Sequence, residues 1–312
     1  MSDSLKDKFL ATPECHVKRA FESLEGDLLL LERQYRRLNL PAIFRSMAMA
    51  HEDLGLIASY AHHDMTAFKQ HWSVVSKLRV HAARHEPDSE NYVSGGTMSQ
   101  EMELLYAFVS DDPAAIEEVA ALDTPRLIRY QNDAKAREFT FHLAQLVIRG
   151  DYEAAHAEIE HGAKKAGGSL KKAYATGTDF YSLLMKGDKA GLEASIMDYT
   201  KQEEKNTLPT LCDFIRPVST FRAKLCWQKG IPVEIEHPMV PMAWMPIAPL
   251  SHYDDIYDFF APDWTPPDQS LFARVTRKFQ RNYPAVEACM ERVRRIDMMR
   301  SVTNSQKTEP PL

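Results

Sequence analysis

Residues 137–159 read REFTFHLAQLVIRGDYEAAHAEI. Phe139, Leu143, Leu146 and Val147 recur at i, i+4, i+7 and i+8, which gathers apolar side chains on one face of a helix. Gly150 stands where that helix needs a left-handed residue to stop. Asp151 follows, where a second helix needs an acceptor for the unpaired N–H groups of its first turn. Helices joined by so short a turn pack antiparallel. The same pattern opens helices at Asp64 (AHHDMTAFKQHW), Asp112 (VSDDPAAIEEVA) and Asp188 (MKGDKAGLEASI). Gly187 precedes the last of these, and Pro113 follows Asp112 at the first helical position. Intervals of roughly 40 residues are those of stacked αα-hairpins in tetratricopeptide-like arrays. A bundle without repeat ancestry would turn with Asp and Gly as well, so repeat descent stays open. The expected fold is all-α: stacked antiparallel αα-hairpins, a tetratricopeptide-like helical bundle or array, with one short extended Pro-rich strap.

That strap begins where STFRAKLCWQK (219–229), a helix with Phe221, Leu225 and Trp227 inward, gives way to GIPVEIEHPMVP (230–241). Gly230 suits a helix stop, and Ile231, Val233 and Ile235 then alternate with Pro232, Glu234 and Glu236. Pro232 has no N–H to give a ladder, so the segment reads as an edge or isolated strap laid over helices. Eight prolines between 232 and 267 keep regular helix out of most of that stretch. The expected organisation is a helical domain over 1–267 that includes the strap 230–267, a basic helical pair over 268–300 packed on it, and a disordered tail over 301–312. The pair is read as Asp268–Arg281 and Pro284–Arg300, with Leu271, Val275, Phe279, Val293 and Ile296 inward.

The 312 residues are 44% hydrophobic and 26% charged, an ordinary globular balance. Four cysteines (Cys15, Cys212, Cys226, Cys289) lie far apart and form no metal-ligand spacing. No apolar run is long enough to span a bilayer, and the charged N-terminus lacks the apolar core of a signal peptide. A cytoplasmic protein is expected. Net charge is −6, unevenly spread. Residues 268–300 carry eight Arg and Lys against four acids, so the neutral tail leaves the first 267 residues at −10. An acidic body disfavours nucleic-acid phosphate and attracts basic partners.

The phosphate-loop, dinucleotide and nucleophile-elbow signatures are absent from the sequence. His81 and His85 sit at i, i+4 but lack a third ligand at compatible spacing, so both read as surface histidines. His62-His63 reads as a polar turn, His252 has no nucleophile placed beside it, and Glu52-Asp53 reads as a solvated helix face. No catalytic residue, no metal and no cofactor is expected.

The strap carries a further signal. The helix–Gly–Ile–Pro–Val–Glu–Ile run with Val240-Pro241 after it, the later PLSHYDDIYDFF, and FHLAQLVIRGDYEAAHAEI upstream resemble immunity protein family 49 of bacterial polymorphic toxin systems. The resemblance covers roughly residues 15–260 and leaves out the Arg-rich helices beyond Asp268. It implies an antitoxin that binds a cognate protein toxin and occludes its active site, with no reaction of its own. The acidic body would suit a basic toxin such as a nuclease. Candidate partner-binding residues are Glu234 and Glu236, with Asp254, Asp255 and Asp258 beside Tyr253, Tyr257 and Phe259. Nucleic acid and membrane are not expected as partners, and a homodimer stays open. The alternatives are a helical-repeat scaffold or regulatory protein-binding module and, behind it, an all-α hydrolase or metal enzyme with His and carboxylate groups convergent in a deep pocket.

Overall fold

A computed structural model describes residues 5–87, 100–203, 211–268, 270, 272–273, 275–276, 280 and 282–305. Its helices are α1 (Leu5–Ala11), α2 (Pro13–Gln34), α3 (Leu40–Tyr60), α4 (Met65–Arg84), α5 (Leu105–Ser110), α6 (Pro113–Ala120), α7 (Pro125–Tyr130) and α8 (Arg137–Arg149). They continue as α9 (Tyr152–Lys165), α10 (Gly168–Thr176), α11 (Phe180–Lys186), α12 (Lys189–Glu203), α13 (Leu211–Phe214), α14 (Pro217–Gln228) and α15 (Pro284–Ser305). No strand occurs among the described residues. The fold is all-α, built of stacked helices and broadly helical-repeat-like. No helix among the described residues is long and apolar enough to cross a membrane.

The chain forms two compact units. A hairpin unit comprises Asp7–Glu86 and Leu250–Leu312, and a middle unit comprises Pro87–Pro249 with Met1–Lys6. The Pro-rich segment is shared between them, 230–249 in the middle unit and 250–267 in the hairpin unit.

The hairpin unit is organised by α3 and α4. Asp64 Oδ1 accepts from the N–H groups of Thr66 and Ala67, both at 3.0 Å, and His63 turns the chain at φ 53°. The pairs Gly55/Trp72, Glu52/Arg79 and Arg45/Glu86 recede together from that turn, as antiparallel packing requires. At Gly55 the helices come so close that an added Cβ would lie 2.4 Å from Trp72 Cδ1. Helix α2 packs on α3, and α15 packs on α2 and α4. Leu24, Phe44, Met47, Phe68, Trp72, Leu78 and Val293 fill the core between them. Glu52 is buried against Arg79 at 3.3 Å rather than solvated. Beside it, burial and then the Glu52 charge push the Asp53 carboxyl up to about 6. Arg79 on the facing helix arm draws Glu52 inward, which the helix-face reading missed.

In the middle unit the glycine turns repeat one hydrogen-bond pattern. Gly150, Gly177, Gly187 and Gly230 all have positive φ. After each, the next residue's N–H reaches back five positions: Asp151 to Leu146, Thr178 to Ala173, Asp188 to Leu183 and Ile231 to Cys226. Asp112 caps α6 through Ala114 N–H, and Asp188 caps α12 through Gly191 N–H, both at 3.0 Å. Asp151 does not cap with its side chain; its backbone carbonyl receives Ala155 N–H instead. The connection expected over His161–Ser169 is shorter, because α9 runs to Lys165 and α10 begins at Gly168. Between these helices Gly162 leaves room for the Tyr174 ring. A buried ion pair joins α14 to the turn ahead of α5: Arg222 makes three bonds to Glu101, at 2.8, 3.1 and 3.3 Å, and Tyr181 also donates to that carboxylate.

At the other end, Val293 and Ile296 pack inward as the sequence implies. Helix α15 runs on to Ser305, past the expected end at Arg300, and the rest of the tail lies outside the described residues. Leu271 and Phe279 of the expected Asp268–Arg281 helix also lie outside them, while Val275 is half-exposed rather than inward. Most of the loop expected over 86–96 is likewise not described.

Candidate interaction surface

Extended backbone carries its own unpaired N–H and C=O groups, and without a sheet side chains must satisfy them. The strap meets that demand twice, once in each unit.

In the middle unit, Val233 and Ile235 are buried while Glu234 and Glu236 face solvent, the alternation read from the sequence. Trp227 Nε1–H donates to Val233 O at 3.0 Å, and Glu234 N–H donates to Glu193 at 2.9 Å. Farther on, Lys224 and Asp111 pair at 2.7 Å with both side chains 0% exposed. Lys224 Nζ also donates to the carbonyls of Trp244, Met245 and Pro246, at 2.9–3.2 Å. Asp111 Oδ2 accepts from Ala248 N–H at 3.1 Å. One lysine and one aspartate thereby hold four residues of the strap, and hydrogen bonds offset the cost of burying both charges.

In the hairpin unit the anchors are of another kind. Gln70 on α4 bonds Asp254 in both directions, its amide NH₂ to the carbonyl at 3.1 Å and its amide oxygen to the N–H at 3.0 Å. Arg292 on α15 donates to Ile256 O and to Asp258 Oδ1, each at 2.6 Å. Lys77 pairs with Asp255 at 2.7 Å. Tyr257 is 1% exposed, and its hydroxyl lies 2.6 Å from His51 Nε2. His51 Nδ1 in turn lies 2.9 Å from His71 Nδ1, and His71 Nε2 lies 3.4 Å from Asp297 Oδ1. One set of neutral tautomers satisfies the whole chain: Tyr257 O–H donates to His51, His51 Nδ1–H to His71, and His71 Nε2–H to Asp297. Burial and then His71 hold His51 well below the usual imidazole value, and burial chiefly raises the Tyr257 phenol well above its own.

The candidate contact residues thus divide. Asp254, Asp255 and Asp258 point outward, the last two with side chains 63% and 53% exposed. His252 lies 3.1 Å from Asp254, and Tyr253 accepts Leu250 N–H with its hydroxyl. Tyr257 and Phe259 point inward, where Phe259 stacks on Tyr257 and packs on Phe44 and Trp264. They support the acids from beneath. Glu234 and Glu236 belong to the other unit.

His81 is not a surface group. It lies among Phe44, Phe259 and Phe260, and burial, followed by Arg84 and His85, lowers it to about 4. His85 is exposed, its Nδ1 2.8 Å from His81 O. No group of three or more His, Cys, Asp or Glu able to hold a metal occurs among the described residues. Sequence reading passed over His51, His71, Gln70 and Lys224 because none belongs to a motif. The available signal was only that His51 and His71 stand on the two helices that meet at the His62-His63 turn. No family model, no curated protein and no solved structure matches this chain.

Proposed function

We propose that the protein is an immunity protein that binds a cognate bacterial toxin domain of basic character, such as a nuclease, and covers its active site in the cytoplasm. One observation carries this reading: the acids of 254–258 project from a backbone fastened underneath by Gln70, Arg292 and buried aromatic rings. A surface held in one conformation before binding loses less entropy when a partner docks. Clustered carboxylates speed encounter with a basic partner and reject acidic ones. Such a task requires a shaped, charged surface and no chemistry. The strap and Gly-Asp motifs that resemble the immunity family point the same way. The reading takes the helix pairs as a tetratricopeptide-like array, supported by the shared hydrogen-bond pattern of the four glycine turns.

The test is co-expression with the toxin domain encoded beside this gene. Protection of the host and a one-to-one complex on gel filtration are expected. Changing Asp254, Asp255 and Asp258 together to Asn should slow association at low salt while leaving the fold intact. Neither protection nor a complex would dispose of the proposal, and binding without protection would favour a scaffold.

A further inference from the structure

The first 267 residues carry a net charge of −10, but one end of the middle unit has the opposite sign. Helices α8 and α9 pack antiparallel from the Gly150 turn, so the start of α8 and the end of α9 lie together at the far end. His161 of α9 meets the loop ahead of α8 there, its Nε2 3.1 Å from Asn132 O, and its ring packs on Phe139. Phe139 in turn meets Tyr174 of α10 edge to face, and the Tyr174 ring lies over Gly162. Flanking these packed rings along the chain are Lys135, Arg137, Lys164, Lys165, Lys171 and Lys172, all exposed.

Three properties set the six apart from an ordinary solvated face. No Asp or Glu occurs among residues 134–137 or 161–178. Asp133 and Glu160 border those stretches, and Glu138 is buried against Arg126. None of the six side chains has an ion-pair or hydrogen-bond partner among the described residues, whereas Lys186, Lys189, Lys201, Lys224 and Lys229 of the same unit all have one. The helix dipole favours Lys164 and Lys165 at the end of α9, but it opposes Arg137 at the start of α8 and Lys171 in the first turn of α10. Folding gives no reason for cations so placed, and a polyanion does.

The surface also selects among polyanions. Lysines are point charges on flexible stems, suited to phosphate oxygens rather than to one fixed geometry. Among residues 134–137 and 161–178, Leu170 is the one large apolar side chain that is exposed. That is too little for the apolar centre of a protein interface or for insertion into a bilayer. Nor does an exposed aromatic ring in those stretches offer a base a stacking surface. A duplex needs neither, since its backbone presents one charge per ~1.7 Å.

We propose that this end of the middle unit binds the phosphate backbone of a nucleic-acid duplex, irrespective of base sequence. The proposal uses none of the residues of the toxin-binding reading and does not depend on it.

The experiment follows the fluorescence anisotropy of labelled DNA and RNA duplexes, each about 20 base pairs long, as the full chain is added. Saturable binding of at least one duplex is expected at about 50 mM salt, weakening about a hundredfold or more by about 200 mM, with unrelated sequences bound alike. Changing Lys164, Lys165, Lys171 and Lys172 together to Gln should weaken binding about tenfold or more. The same loss of charge in the hairpin unit, with Arg36, Arg37, Arg294 and Arg295 changed to Gln, should alter it by no more than about twofold. If the lysine variant folds poorly, Lys135→Gln with Arg137→Gln should weaken binding by about threefold or more. Polyglutamate and phosphatidylglycerol vesicles are the rival polyanions. Tighter binding of either rival than of both duplexes, equal losses in the two fourfold variants, or no saturation by either duplex would overturn the assignment.

Discussion

Around Trp244–Ala248 the Pro-rich segment is held by a buried ion pair, Lys224 with Asp111, whereas around Asp254–Tyr257 it is held by a neutral amide, a phenol–imidazole chain and the part-exposed Arg292. Both anchors answer the same need, since extended backbone without a sheet must find partners for its polar groups. They differ in how they fail. A buried ion pair leaves a stranded charge when one partner goes. The hairpin-unit network loses less on truncation of its amide, yet His51 couples it to protons.

The sharpest break in that comparison is expected at the ion pair. Lys224→Ala leaves Asp111 buried and three carbonyls unsatisfied, so the middle unit should lose about 3–5 kcal/mol in urea unfolding. Pairing Lys224→Met with Asp111→Asn, which keeps an acceptor for Ala248 N–H and tolerates the positive φ at 111, should cost less than Lys224→Ala alone. If the double change is the worse of the two, the pair stabilises through its charge rather than by avoiding a stranded one.

Next comes Gln70→Ala. It removes both bonds to the Asp254 backbone and should cost the hairpin unit about 1–3 kcal/mol. Gln70→Glu keeps the acceptor for Asp254 N–H but sets a carboxylate against Asp254 O, and it should not rescue stability at neutral pH.

Acid titration separates the two anchors further. His51 and His81 both have folded pKa values below the unfolded 6.5, so below that pH the unfolded chain binds more protons. Stability of the hairpin unit should therefore fall as pH drops from about 6.5 toward 4, by about 1–2 kcal/mol. Asp53 acts in the opposite sense: its folded value near 6 exceeds the unfolded 3.8, so its contribution is present at low pH and lost as pH rises through 6. Asp53→Asn should steepen the acid-side fall and raise stability at pH 7. A flat profile from pH 7 to 4.5 in that variant would count against the buried-histidine account. The smallest effect is expected at Asp255, whose exposed pair with Lys77 should be worth no more than about 0.5 kcal/mol in Asp255→Asn.

The turns were legible because their chemistry is local. Asp64, Asp112 and Asp188 accept from N–H groups two or three residues away, and Gly150 and Gly187 need only their own positive φ. The alternation of Val233 and Ile235 with Glu234 and Glu236 is local as well. The same reading applied to 257–259 would have placed Tyr257 and Phe259 inward and Asp258 outward, instead of grouping all three as contacts. The anchors were not legible. Lys224 lies within an ordinary amphipathic run, and only the carbonyls of 244–246 show why a lysine is buried there. His51, His71, Tyr257 and Asp297 become neighbours only once α3, α4, α15 and the strap have packed. Glu52 looked solvated for the same reason, because its partner Arg79 comes from the opposite arm.

Three strap N–H groups, those of Glu234, Ala248 and Asp254, end on the side chains of Glu193, Asp111 and Gln70. A strand in a sheet shares its protection from deuterium uptake along a cooperative ladder, but here each proton is guarded by a single residue. Exchange at these three amides should therefore be separable, so that altering one guardian quickens one site and leaves the other two slow. The strap would then report, residue by residue, where a docking molecule presses on it.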